Sequence, residues 1–120
     1  MDFIYVALGG AVGSAARYAI SLIPFKGSFP LMTLITNILG AVLIGFTVGL
    51  LTDKGDSGKN ALLFWKTGVC GGFTTFSTFS LEAVTLFGKG SVFLGILYVM
   101  LSVVFCLLGI LLGKKLAMLF

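Results

Sequence analysis

Apolar residues run through this chain in four long blocks, separated by short clusters of Pro, Gly, Ser, Asp and Lys. The blocks lie near 3–23, 31–52, 61–87 and 91–113. Each is long enough to cross about 30 Å of hydrocarbon as a helix, which takes about 20 residues. The clusters between them, Pro24 to Pro30, Asp53 to Asn60 and Gly88 to Gly90, hold residues that end helices. The pattern predicts an all-α membrane protein, one domain over 1–120 with four transmembrane helices. The first block does not read as a cleavable signal peptide, because it lacks a basic start and Arg17 interrupts it.

Composition sharpens this picture by exclusion. Hydrophobic residues make up 58% of the chain and charged residues 10%, with a mean hydropathy of +1.17. Soluble domains carry roughly 45–50% apolar and about 25% charged residues. A chain of 120 residues has too little interior to hide this much apolar surface from water. A free soluble enzyme, a disordered tail and a secreted disulfide scaffold are excluded. The absence of His removes imidazole metal sites and Ser-His or Cys-His nucleophiles. Cys70 and Cys106 lie inside apolar blocks with no metal-binding spacing.

The net charge of +4 comes from single Lys and Arg residues scattered along apolar sequence, which points to membrane topology and not to nucleic acid. Four crossings put both termini and the 53–60 loop on one side. Lys54, Lys59, Lys66, Lys114 and Lys115 then oppose Arg17, Lys26 and Lys89. Five against three is a small bias for a rule that counts Lys and Arg in short loops. Two topologies stay open: a fixed orientation, or insertion both ways up with an antiparallel dimer.

Small and polar residues recur at helical spacing. Gly9, Gly13 and Arg17 share a face of the first block; Thr33, Asn37, Gly40 and Ala41 share one on the second. On the fourth, Gly95, Tyr98, Ser102, Cys106, Gly109 and Gly113 follow steps of three and four. Such stripes allow close helix packing, and their polar members can line a path.

The third block is the unusual one. It contains Gly71-Gly72-Phe73-Thr74-Thr75-Phe76-Ser77-Thr78-Phe79-Ser80, a poor continuous helix. Glycine's conformational freedom places a break near Gly71-Gly72. A break at membrane depth survives only where its backbone groups are buried in protein or meet water or an ion. Freed carbonyls suit a hard cation; amides of a restarting helix suit an anion; neighbouring Ser and Thr can also heal a simple kink. Beyond the break, Phe76 and Phe79 share a face, and aromatic ring edges carry positive potential. Asn37, Ser77, Thr78, Tyr98 and Ser102 add hydrogen-bond donors. A lining of donors without an acidic ring suits an anion. Arg17 and Glu82, each inside a block, either pair with one another or stand at a vestibule.

These motifs, with the helix 1 run Gly9 to Tyr18 and Thr36-Asn37-Ile38-Leu39-Gly40, resemble the Fluc/CrcB bacterial fluoride channels over the whole chain. The resemblance implies a passive fluoride channel of the bacterial cell membrane, built as a dual-topology antiparallel homodimer. It implies an ion pathway of Asn37, Phe76, Phe79, Ser77, Thr78, Tyr98 and Ser102, with vestibule charges Arg17 and Glu82. It also implies a buried, untransported Na⁺ held by the backbone carbonyls of Gly71 and Thr74. The rival is a small dual-topology multidrug transporter, which needs a carboxylate within helix 1; here that helix carries Arg17.

Overall fold

The computed structural model describes all 120 residues, and every regular element in it is helical. Helix α1 spans Asp2–Ser21, α2 spans Leu31–Leu51, α4 spans Phe76–Gly88 and α5 spans Val92–Ala117. Between α2 and α4 lies α3, residues 55–73, which starts as an α-helix (Gly55–Leu62) and widens into π-helical turns over Leu63–Cys70. It closes with one α-helical turn, Gly71–Phe73. Three helices, α1, α2 and α5, are long and apolar enough to cross a membrane as single pieces. The third apolar block, 61–87, is divided between α3 and α4.

Two boundaries differ from expectation. The polar segment 53–60 is not a loop beyond its first residues, since α3 begins at Gly55 with Asp56 in its first turn. The acid complements the helix dipole there, and Lys59 lies 3.7 Å from Asp2 of α1. Gly55 takes φ +67°, the left-handed turn that lets the chain enter the helix directly. At the other end, α5 runs past 113 to Ala117, with Lys114 and Lys115 in its last turn where cations are favoured.

The break also moves. Gly71 is helical, at φ −62° and ψ −37°, and the extended residues are Thr74 (φ −88°, ψ 157°) and Thr75 (φ −150°, ψ 120°). Neither conformation needs glycine, and β-branched Thr favours extended backbone. Glycine at 72 serves packing instead: a Cβ there would sit 2.6 Å from the Gly10 carbonyl oxygen.

Glycine contacts organise the bundle into two tight pairs. Between α1 and α3, a Cβ on Gly9 or Gly13 would overlap the carbonyl oxygens of Phe64 or Val69, and one on Gly68 would lie 2.7 Å from Gly9 Cα. Between α2 and α5, a Cβ on Gly45 or Gly113 would overlap the carbonyls of Ile110 or Val42. Backbones in such contact gain dispersion and weak Cα–H···O interactions, which drive helix association where lipid supplies no hydrophobic force. The core proper is small: Leu34, Ala83, Leu86 and Tyr98. Only 20 of 120 residues are buried, and large apolar side chains cover the outside of α1, α4 and α5. That inverted distribution is what a lipid-facing chain requires.

The glycine contacts can be checked on one helix. Gly13→Ala forces a Cβ into the α3 backbone, whereas a Cβ on Gly10 meets nothing within 4 Å. Gly13→Ala is expected to destabilise the purified protein by about 1–3 kcal/mol or prevent folding, and Gly10→Ala to leave unfolding in mixed micelles unchanged. Equal behaviour of the two would remove α1–α3 contact as a determinant of the fold.

Candidate ion pathway at the helix break

The break exposes peptide groups that no helix pairs, and the structure supplies partners from elsewhere. Asn37 on α2 accepts from Thr75 N–H through Oδ1 at 2.9 Å and donates through Nδ2 to the Thr75 carbonyl at 3.2 Å. One carboxamide thus satisfies both backbone groups of one residue. The Thr75 hydroxyl accepts from Thr78 N–H at 3.1 Å and caps α4. On the preceding side, both the amide and the hydroxyl of Thr74 donate to the Cys70 carbonyl, at 3.0 and 2.7 Å. Because Thr75 N–H turns to Asn37, the Gly71 carbonyl loses the amide that would bond it in a continuing α-helix.

A groove of about 390 Å³ opens over this break. Asn37, Phe76, Phe79 and Ser102 line it, as do Gly71 and Thr74. Six residues chosen from sequence, on α2, α3, α4, α5 and the break, therefore share one concavity. Ser102 is 5% exposed, and its Oγ has no hydrogen-bond partner in the protein. A buried hydroxyl without a partner costs about 1–3 kcal/mol, so this atom calls for water or an ion. Phe76 and Phe79 stand with ring centroids 5.6 Å apart at 52°. Phe76 is 79% exposed, so the protomer itself leaves one ring uncovered.

Three of the chosen pathway residues are not in the groove. Tyr98 is completely buried, 5.1 Å from the Phe79 ring and 5.5 Å edge-on to Phe29, and its hydroxyl lies 3.4 Å from Glu82 Oε1. It backs Phe79 and lines no open surface of the groove. Thr78 opens instead into a cleft of about 70 Å³ with Arg17, Thr33, Thr36 and Thr75. Ser77 is exposed, 3.3 Å from the Thr75 hydroxyl. Arg17 and Glu82 do not pair: Arg17 Nε donates to the Gly72 carbonyl at 3.0 Å, and Glu82 lines a separate recess of about 450 Å³ with Lys89 and Thr85.

Sequence reasoning passed over Thr75 as a cap, although a Thr immediately before an apolar run is an N-cap signal. It also left Lys66, Cys70 and Cys106 out of the site, though all three line the groove. Cys106 follows Ser102 by one turn, which was readable; nothing in the spacing marked Lys66.

Asn37 gives the site its most direct stability test. Asn37→Leu roughly keeps volume but leaves Thr75 N–H and C=O unpaired, at about 1–3 kcal/mol for each group. A loss of about 2–4 kcal/mol is expected in equilibrium unfolding, while Thr75→Ser, which keeps the cap, should cost under about 1 kcal/mol. Wild-type stability in Asn37→Leu would mean that water replaces the carboxamide.

Comparison with known proteins places this geometry in a lineage. The family described as CrcB-like protein, Camphor Resistance (CrcB), matches residues 4–114. A protein of Ruminiclostridium cellulolyticum named fluoride-specific ion channel FluC is 48% identical over 120 residues, covering 98% of this chain and 92% of that one. Proteins of the same name from Clostridium perfringens and Paracoccus denitrificans are 44% and 42% identical, over 95% and 92% of this chain and 91% and 90% of theirs. With nearly its whole length aligned, the chain belongs to the CrcB-like family.

Proposed function

We propose that the protein is a fluoride-specific channel of the bacterial cell membrane that lets fluoride leave the cytoplasm down its gradient. The observation that carries the reading is the lining of the groove. It is lined by Ser102, whose buried hydroxyl has no partner in the protein, by the carboxamide of Asn37 and by two phenylalanine rings, and it contains no carboxylate. Helix α4 starts at the same place, and a helix start directs unpaired amides and positive potential outward. Fluoride is small and strongly hydrated, so closely spaced weak donors can replace its water without trapping it. The names of the relatives, fluoride-specific ion channels, agree with this chemistry. Organic-cation export gains no support: α1 carries Arg17, and its acid, Asp2, sits at the terminus beside Lys59.

The functional unit of this proposal is an antiparallel homodimer. Phe76 stands uncovered, and a Cβ added to Gly71 would meet nothing within 4 Å, so the groove face has room for a second copy. Two inverted copies would bring two breaks together. The carbonyls of Gly71, freed by the Asn37 contact, and of Thr74, in the extended linker, have the oxygen chemistry that a hard monovalent cation takes. These residues fit Na⁺, which would supply fixed positive charge at the centre of the dimer while this chain's rings and hydroxyls line the anion path. In the same reading, Tyr98 positions Phe79 from behind, Thr78 and Ser77 extend the donors towards Arg17, and Arg17 and Glu82 belong to separate approaches.

Efflux from proteoliposomes tests the reading. Fluoride should leave rapidly and chloride negligibly, and Phe79→Ile, which roughly keeps bulk but loses the electropositive ring edge, should cut fluoride flux at least about tenfold while the protein stays folded. Comparable chloride flux, or full flux in the variant, would sink the pathway assigned here.

The cation is tested by exchange. Prolonged replacement of Na⁺ by a bulky organic cation should lower fluoride flux, and returning Na⁺ should restore it without Na⁺ crossing. Unchanged flux after verified depletion would remove the ion from the proposal.

A further inference from the structure

Lys66 is the one charged residue that lines the groove, and it sits at the end away from the break. It precedes Thr74 by eight residues, in the π-helical turns of α3. Ile44 of α2 and Ile110 of α5 line the groove with it, and both lie towards the side where α2 turns into α3. The Lys66 side chain is exposed and unpaired, since Lys59 with Asp2 forms the protein's only ion pair. Cys106 lines the groove as well, and Ser102, one turn before it, holds the buried, unpartnered hydroxyl in the groove wall. The groove therefore has an unneutralised cation on its rim and an unsatisfied donor inside.

We infer that Lys66 is the gathering charge of the groove, the residue that concentrates small anions at its open end before they reach Ser102 and the phenylalanines. The inference rests on the groove being an anion path. Walls of Ile44, Val103 and Ile110 are poorly polarisable, and a cleft with such walls focuses the field of a single charge along its length. A unit charge about 7 Å from an ion in water changes the local ion concentration by about threefold, which sets the expected size of the effect. The alternative role for Lys66 is anchorage, its ammonium reaching to lipid headgroups and its stem covering apolar surface. Anchorage and gathering differ in their response to salt. Field gathering fades as the Debye length shrinks from about 30 Å at about 10 mM to about 3 Å at about 1 M, whereas a loss of anchorage lowers flux equally at both.

The test is fluoride efflux from proteoliposomes at these two ionic strengths, set with an impermeant salt, for wild type, Lys66→Arg, Lys66→Gln and Lys114→Gln. Lys66→Gln is expected to carry about one third of wild-type flux at low ionic strength and to approach wild type at high. Lys66→Arg should track wild type at both. Lys114→Gln removes the same charge from a residue that does not line the groove and should show no gap of comparable size. If Lys66→Gln matches wild type at low ionic strength, or is reduced by the same factor at both, Lys66 is not a gathering charge. A gap of equal size in Lys114→Gln would overturn the assignment too, since net charge would then be responsible. Absence of fluoride flux from wild type is a different result and would bring down the channel reading itself.

Discussion

Everything in this structure is arranged around two peptide groups that cannot be left alone. The extended pair Thr74–Thr75 interrupts an apolar segment, where lipid offers no hydrogen bonds and an unpaired N–H or C=O is costly. Asn37 meets that requirement with a single side chain bonded twice to Thr75. Its position fixes how α2 stands against α3 and α4, and the glycine contacts of α1 with α3 and of α2 with α5 hold the two sides of that bridge. Thr75 is both the residue being satisfied and the cap of α4, so the start of α4 is tied to the same point. The groove lies at the same point, because Asn37 takes the Thr75 amide and leaves the Gly71 carbonyl without its helical partner beside the first turn of α4.

The packing and the site use small residues for opposite purposes. Gly9, Gly13, Gly45, Gly68, Gly72 and Gly113 are small because a neighbouring backbone occupies the place of a Cβ. Gly71 is small beside open space. A row of glycines in one motif therefore contains residues that close the protomer and one that leaves a face free. The exposed ring of Phe76 lies on that free face, in contact with Phe79, which Tyr98 supports from the core.

Much of this was legible in the chain. Four apolar blocks, the anomaly in the third and the convergence of Asn37, Phe76, Phe79 and Ser102 followed from hydropathy, helical spacing and the cost of polar groups in lipid. The position of the break was misread by three residues, because the Gly-Gly pair was interpreted as conformational freedom when Gly72 serves close packing and the β-branched threonines carry the extended backbone. The segment 53–60 read as loop because it is rich in Gly, Asp and Ser, although Asp56 and the Lys59–Asp2 pair support two helical turns. Tyr98 read as lining because its helical spacing matches Ser102; spacing gives the face of a helix but not the depth of a side chain behind its neighbour. Arg17 bonds to a carbonyl 55 residues away, a contact that no local pattern encodes.

The Asn37 contact also bears on how the chain is made. Arm α4 has 13 residues, about 20 Å of helix, too short to span the hydrocarbon alone. The broken segment enters the bilayer with its mid-depth peptides still in need of partners. Asn37 precedes Thr75 by 38 residues, so α2 has left the ribosome before the break does. Synthesis from the N-terminus delivers the partner first, and the most polar backbone in the protein can be received by a neighbour already resident in the membrane.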